Sequence, residues 1–242
     1  MASRPRDLLR MIAVFVFIAS AAGAVIWYVA SYQSEARRRF FAETDETWIG
    51  RIAWQGGAGI RWTDFPRLAT GGDPLEIAWD ADVERVLWSN DGASLYVVDD
   101  TARLGSVHRI WSCEIATGKK TLLLDLGAEK LEDDDLDTHE VWVIAVGDAE
   151  SDRERVIFRL STGDWYSVDS LRRRVRREAG RPADGRAAHL CPEAGAGLER
   201  KKSDDDGDDG ILMFRQRGDS HRVTTDSAED PGALWMQRKP GR

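Results

Sequence analysis

Four histidines, two cysteines and two acidic runs are the residues of this 242-residue chain best suited to chemistry. His108, His139, His189 and His221 show no metal-ligand spacing, and no H-E-x-x-H or C-x-x-C occurs. Asp204–Gly210 reads DDDGDDG, a cluster of the hard oxygen donors that calcium takes. Counted from Asp205, the third loop position is Gly207 and the twelfth is Gln216, so the EF-hand pattern fails. A solvated acidic loop is expected there and at Glu132–Asp137. No G-x-S-x-G elbow occurs. Gly56–Gly59 lacks the Lys-Ser/Thr of a phosphate loop and reads as a turn between Trp54 and Trp62. The sequence therefore assigns no catalytic residue, cofactor site, cofactor or metal ligand, and no enzyme activity is expected.

Arg172–Arg177 places five arginines in six residues. As a strand it would carry charge on both faces, which suits a sheet edge or a protruding hairpin. Its partners could be acidic loops, another protein or anionic lipid heads, and a solvated edge is the other reading. The chain as a whole has 34 Lys plus Arg against 42 Asp plus Glu, a net charge of −8. That balance argues against nucleic-acid binding, which needs a basic stripe to neutralise phosphates. Two cysteines exclude a disulfide-dense scaffold. In an exported domain, Cys113 and Cys191 could pair or stand as separate thiols.

The elements that would position these residues begin with a membrane segment. Met11–Tyr32 carries no charge over 22 residues. As a helix it spans about 33 Å, the thickness of a bilayer's hydrocarbon core. Ala19-Ser20-Ala21 and Ala22-Gly23-Ala24 both satisfy the small-x-small rule of signal cleavage. The apolar run continues past both, so an uncleaved anchor is expected. Trp27 lies towards its end, at headgroup level. Ala19 with Gly23, and Ser20 with Ala24, form a face of small residues that admits close approach of another helix. Arg37, Arg38 and Arg39 suit lipid phosphates, and Phe40 and Phe41 extend the interfacial contact. The short basic tail, with Arg4, Arg6 and Arg10, favours a cytoplasmic N-terminus and a periplasmic or extracellular C-terminal domain.

From Thr47 onward, short runs rich in Val, Ile and Trp alternate with Gly/Asp/Asn/Ser turns. Strands are expected at 48–54, 75–79, 85–88, 94–98, 108–115, 120–125, 140–146, 155–160, 165–168, 172–177, 211–215, 221–225 and 233–237. Beyond the anchor no long segment has a helical period. The expected organisation is a tail (1–10), a transmembrane helix (11–32), a juxtamembrane segment (33–46) and an all-β domain (47–242) with a flexible insertion at 180–210. Glu84–Asp99 and Glu154–Asp169 match at six of 16 positions at an offset of 70, and a weaker copy starts at Ile211. Each copy reads as an antiparallel hairpin.

Trp88-Ser89-Asn90-Asp91-Gly92, Leu95–Val98 and Arg109–Lys119 resemble a blade of TolB-like β-propellers over about 45 residues. Such a blade runs strand, S-x-D-G turn, strand, connector, strand, T-G-K turn, strand. The resemblance implies an all-β propeller and no catalytic residues. About 195 residues follow Thr47, enough for roughly four blades of ~40–45 residues. Polar stretches at 126–137 and 180–209 consume part of that length, so a propeller-like or open antiparallel β-meander fits better than a closed ring.

These readings converge on a membrane-anchored accessory subunit of a larger electron-transfer, photosynthetic, transport or envelope complex, acting by protein–protein interaction. Its partners are other membrane-protein subunits and the bilayer, with no nucleic acid and no small-molecule substrate identified. A ligand-binding or sensor module is the alternative, and a propeller-type hydrolase a further one.

Overall fold

The computed structural model describes residues 5–56, 59–100, 108–129, 142–148, 154–160, 162–180, 188–202, 210–223 and 232–240. One helix, α1 (Pro5–Thr47), runs for 43 residues, so the expected membrane and juxtamembrane segments are one element. It is long and apolar enough to cross a membrane, and its most apolar stretch touches nothing else in the chain. Past Tyr32 the helix continues because Glu35–Glu43 are good helix formers, with Arg39 bonded back to Glu35 at 3.4 Å. Its domain-facing stripe is Ser34, Arg37, Phe41, Thr44 and then Trp48, spacings of three and four that keep one helical face inward.

Strands then form four four-stranded antiparallel sheets. The first contains β1 (Trp48–Gly56), β2 (Gly59–Asp64) and β3 (Leu75–Ala78), with the short helix α2 (Phe65–Thr70) between the last two. Asp64 caps α2, accepting from the Arg67 N–H at 2.9 Å, and Gly71 ends it in the left-handed conformation. The second sheet is β4 (Asp82–Trp88), β5 (Ser94–Asp100), β6 (His108–Glu114) and β7 (Lys120–Asp125). The third is β8 (Trp142–Asp148), β9 (Glu154–Arg159), β10 (Trp165–Asp169) and β11 (Val175–Glu178). The fourth is β12 (Leu190–Cys191), β13 (Ala196–Lys202), β14 (Gly210–Gln216) and β15 (Asp219–Arg222). The final strand, β16 (Ala233–Arg238), returns to pair with β1, completing the first sheet in the order β16-β1-β2-β3.

Among the described residues this is a propeller-like array, mostly antiparallel strands after the N-terminal helix, as the sequence implied, with the short α2 as an addition. Strand β16 lies against β4 on one side and β12 on the other. Trp88 Nε1 donates to the Ala233 carbonyl at 3.2 Å, and the Leu234 N–H donates to the Ala188 carbonyl at 2.8 Å. Three apolar clusters fill seams between sheets: the first with the fourth, the first with the second, and the second with the third. Among the described residues no such cluster joins the strands of the third sheet to those of the fourth.

One expectation needs correction: within the stretch expected as an insertion, residues 188–202 carry β12 and β13, which belong to the fourth sheet. Its alternation of buried Ala196 and Leu198 with polar neighbours is the strand signal. The 70-residue repeat is a repeat of antiparallel hairpins, as expected, set at different places in their sheets. Its first copy makes the first and second strands of sheet two, its second the second and third of sheet three, and its third the last two of sheet four. The pairing also slips: Tyr96 faces Leu87, whereas Tyr166 faces Phe158. Turn chemistry and period-two patterning encode a hairpin locally and are silent on its place in a sheet.

Candidate functional site

The small face of Ala19, Ser20, Gly23 and Ala24, with Trp27, lies on the exposed part of α1. A Cβ at Gly23 would meet no atom within 4 Å, so among the described residues nothing occupies that face. Of the residues expected at the lipid interface further along, Arg37, Phe40 and Phe41 turn towards the domain. Phe41 is 0% exposed and sits among Phe40, Phe65 and Phe214, with ring centroids 5.4–5.6 Å apart. Phe40 stacks on His221 at 3.9 Å, and burial pushes that imidazole below its usual pKa, with Asp219 opposing. Arg37 is half-buried in the domain-facing stripe. The Arg38 guanidinium lies against Gly71, where a Cβ would come within 2.6 Å of it. Only Arg39 of the three points clear, paired with Glu35. The physical reason is the stripe: one helical face cannot serve bilayer and domain at once, and apolar burial in the domain holds the rings.

The joint is closed by polar contacts. Thr44 Oγ1 donates to the Phe40 carbonyl at 2.9 Å and lies 3.4 Å from Gln216 Oε1, while Gln216 Nε2 donates to the Ala194 carbonyl at 3.2 Å. The Lys239 N–H donates to the Thr47 carbonyl at 2.9 Å, and its ammonium pairs with Asp45 at 3.3 Å. The last carbonyl of α1 is thereby met by the residue that follows the strand closing the first sheet.

A cleft of about 380 Å³ opens at the seam of the first and second sheets, lined by Trp79, Asp80, Ala81, Asp99, Arg109, Trp111 and Lys120. Strand alternation sets Asp99 opposite Arg109 and Val97 opposite Trp111, putting the cleft residues on one face. Asp99 is 1% exposed and fully committed. Its Oδ2 accepts from Trp79 Nε1 at 2.9 Å, and Arg109 bonds both oxygens at 2.9 Å. Arg109 also lies 5.1 Å from the Trp111 ring, and the Lys120 ammonium 4.3 Å from that of Trp79. Trp111 Nε1 is buried with no hydrogen-bond partner among the described residues. The cleft can stack and donate hydrogen bonds, which is binding chemistry. Its buried carboxylate already holds Arg109 and Trp79. Sequence reading missed this set. The signal was an aspartate next to the end of a strand and directly after the run Leu95-Tyr96-Val97-Val98.

Among the described residues no group of three or more His, Cys, Asp or Glu could hold a metal ion. His108 is buried, with Nε2 3.0 Å from Glu84 Oε2. Cys113 and Cys191 are both free and buried, one in the second sheet and one in the fourth. His139 and the acidic runs at 132–137 and 204–209 lie outside the described residues.

No family model matches the chain, and no curated protein matches it. Among solved structures it is similar to TolB from Acinetobacter baumannii, with TM-score 0.37 and 14% identity over 73% of this chain and 41% of that one. It is also similar to a protein assigned as TolB from Agrobacterium tumefaciens, with TM-score 0.33 and 16% identity over 76% of this chain and 66% of that one. The chain thus spans less than two thirds of either structure. Both carry the name of the family that Trp88–Lys119 resembles.

Proposed function

We propose that this protein is a membrane-anchored accessory subunit that acts by protein–protein interaction within a larger membrane complex. The observation that carries the reading is the unbroken passage of α1 from its apolar stretch into the domain core at Phe41 and Thr44. A flexible tether would let the domain search freely. A helix whose last turns are core residues instead fixes the domain's orientation to whatever its membrane half packs against. The small face at Ala19, Ser20, Gly23 and Ala24 is the surface for that packing, since close helix approach in lipid depends on small side chains.

The test is to replace Ala19 and Gly23 by leucine. Both positions are exposed, so the domain is expected to fold unchanged, and leucine favours insertion. Co-purifying membrane subunits should be lost in mild detergent while the mutant stays in the membrane. Wild-type stoichiometry of those subunits would remove this face from the proposal.

The basic residues ahead of the apolar stretch of α1 support a cytoplasmic N-terminus with the β domain outside, in the periplasm or beyond the cell. Protease added to intact spheroplasts is then expected to digest residues 47–242. Digestion only after lysis would reverse the orientation.

A further inference from the structure

From the geometry of the third sheet we infer that the β10–β11 turn is a second membrane contact, binding anionic lipid headgroups through Arg172, Arg173, Arg174 and Arg176, with Leu171 as its apolar tip. The inference rests on α1 being a membrane helix and adds a surface that α1 does not supply.

The turn is built, not loose. Asp169 Oδ1 accepts the backbone N–H groups of Leu171 and Arg172 at 2.8 and 2.7 Å, and the Arg173 N–H donates to the Asp169 carbonyl at 2.9 Å. Arg173 takes a left-handed φ of 53° to close it. The four arginine side chains are exposed, and no guanidinium among them has a hydrogen bond or ion pair among the described residues. Their neighbours differ: Arg177 pairs with Asp164 at 2.6 Å and Arg155 with Glu178 at 2.8 Å. Among the described residues, a chain of net charge −8 thus leaves four cations within five positions unpaired on a fixed turn. Leu171, at the same tip, is 76% exposed. A cationic rim around an apolar tip is the pattern of an interfacial contact.

Strand direction puts the turn at the end of the domain where α1 enters. Helix α1 leads straight into β1, and β16 finishes beside it, with the Lys239 N–H on the Thr47 carbonyl. The β4–β5 turn is at that end, since Arg51 of β1 donates to the Gly92 carbonyl and Trp235 of β16 to that of Asn90. Glu154, the first residue of β9, accepts from the Asn90 N–H and, at 2.8 Å, from the Tyr96 hydroxyl. So β9 starts at this end and β10 finishes there, with the Ser170 N–H on the Glu154 carbonyl at 3.1 Å. Phe40 already touches the domain about 12 Å along the helix from Tyr32, and the headgroup layer itself is about 5–8 Å deep. Arginine side chains at this end can bridge the remainder.

The experiment uses the full chain in nanodiscs of phosphatidylcholine, with or without about 30% phosphatidylglycerol, and times trypsin cleavage after the four arginines. Lys201, in a strand that ends at the opposite end, is the internal control. Anionic discs are expected to slow cleavage at the turn by about tenfold or more, given about fivefold in binding per arginine. Lys201 should be unaffected, and about 1 M salt should abolish the protection. Leu171→Glu, at an exposed position that tolerates it, should weaken protection severalfold. Equal cleavage in the two lipids overturns the inference while α1 stays in the disc. Failure of the chain to enter discs overturns the anchor and the inference together. Protection that needs a co-purified protein instead of anionic lipid assigns the arginines to an acidic partner and overturns the lipid assignment.

Discussion

Phe41→Ala is expected to destabilise the protein by about 3–5 kcal/mol, the usual cost of removing a fully buried phenylalanine. The ring is 0% exposed, in contact distance of Phe65 from α2 and Phe214 from β14, which themselves meet at 5.4 Å. Three elements far apart in sequence converge on it, so they cannot collapse around the void without moving α1. The cost therefore falls on the joint. Denaturant unfolding of the full chain in detergent measures the loss, and amide exchange over residues 33–47 reports whether the end of α1 has come free. Phe40→Ala is the matched comparison. Its ring is only half-buried against His221 and Phe214, so about 1–2 kcal/mol is expected. Equal effects of the two substitutions, with no change in exchange, would show that α1 is not anchored through Phe41.

The same residue marks how far the sequence could be read. Phe40 and Phe41 follow an arginine triplet beside an apolar run, and in isolation that is an interfacial signature. What assigns Phe41 to the core is the spacing Arg37, Phe41, Thr44, Trp48, which becomes a helical stripe only once the helix is known to pass Tyr32 unbroken. Strands with strong local patterns were legible: Lys120–Asp125 has the expected bounds, and Ala233–Arg238 extends its expectation by one residue. The sequence shows β2 only as the far side of a glycine turn, where Gly56 does pair with Gly59. Helix α2 is six residues long, too short to show a period, and depends on its Asp64 cap and on burying Phe65 and Leu68. In the cleft, Asp99 and Arg109 are ten positions apart with residues 101–107 between them. Their pairing is a matter of strand register, which no single-strand pattern encodes. The hairpin repeat had the same limit: it gave the unit and not its place.

Gly92→Ala is the second large effect, expected at about 2–4 kcal/mol from strain and overpacking together. Gly92 has a left-handed φ of 68°, and a Cβ there would stand 2.6 Å from the Trp235 ring. Either term alone is tolerable in a flexible turn, but this turn is held from three sheets. Asp91 Oδ1 accepts from Ser89 Oγ at 2.6 Å and from the Ala93 N–H at 2.8 Å. Those bonds hold the carboxyl below its usual pKa against the opposing effect of partial burial. Arg51 and Trp235 grip the turn from the first sheet, and Glu154 grips it from the third, helped by a Tyr96 phenol that burial and Glu154 keep protonated. To relieve the alanine methyl, Trp235 must tilt and release the Asn90 carbonyl, or the turn must lift and release Glu154. The strain cannot stay in sheet two. Gly118 is the control: it has nearly the same φ of 69°, but a Cβ there meets nothing within 4 Å. Gly118→Ala should therefore cost only the conformational part, about 1 kcal/mol. Unfolding midpoints of the two variants separate the terms. If both lose the same amount, the Trp235 contact carries no energy, and the Asp91-Gly92 turn is a local feature of one hairpin instead of the clasp that registers three sheets.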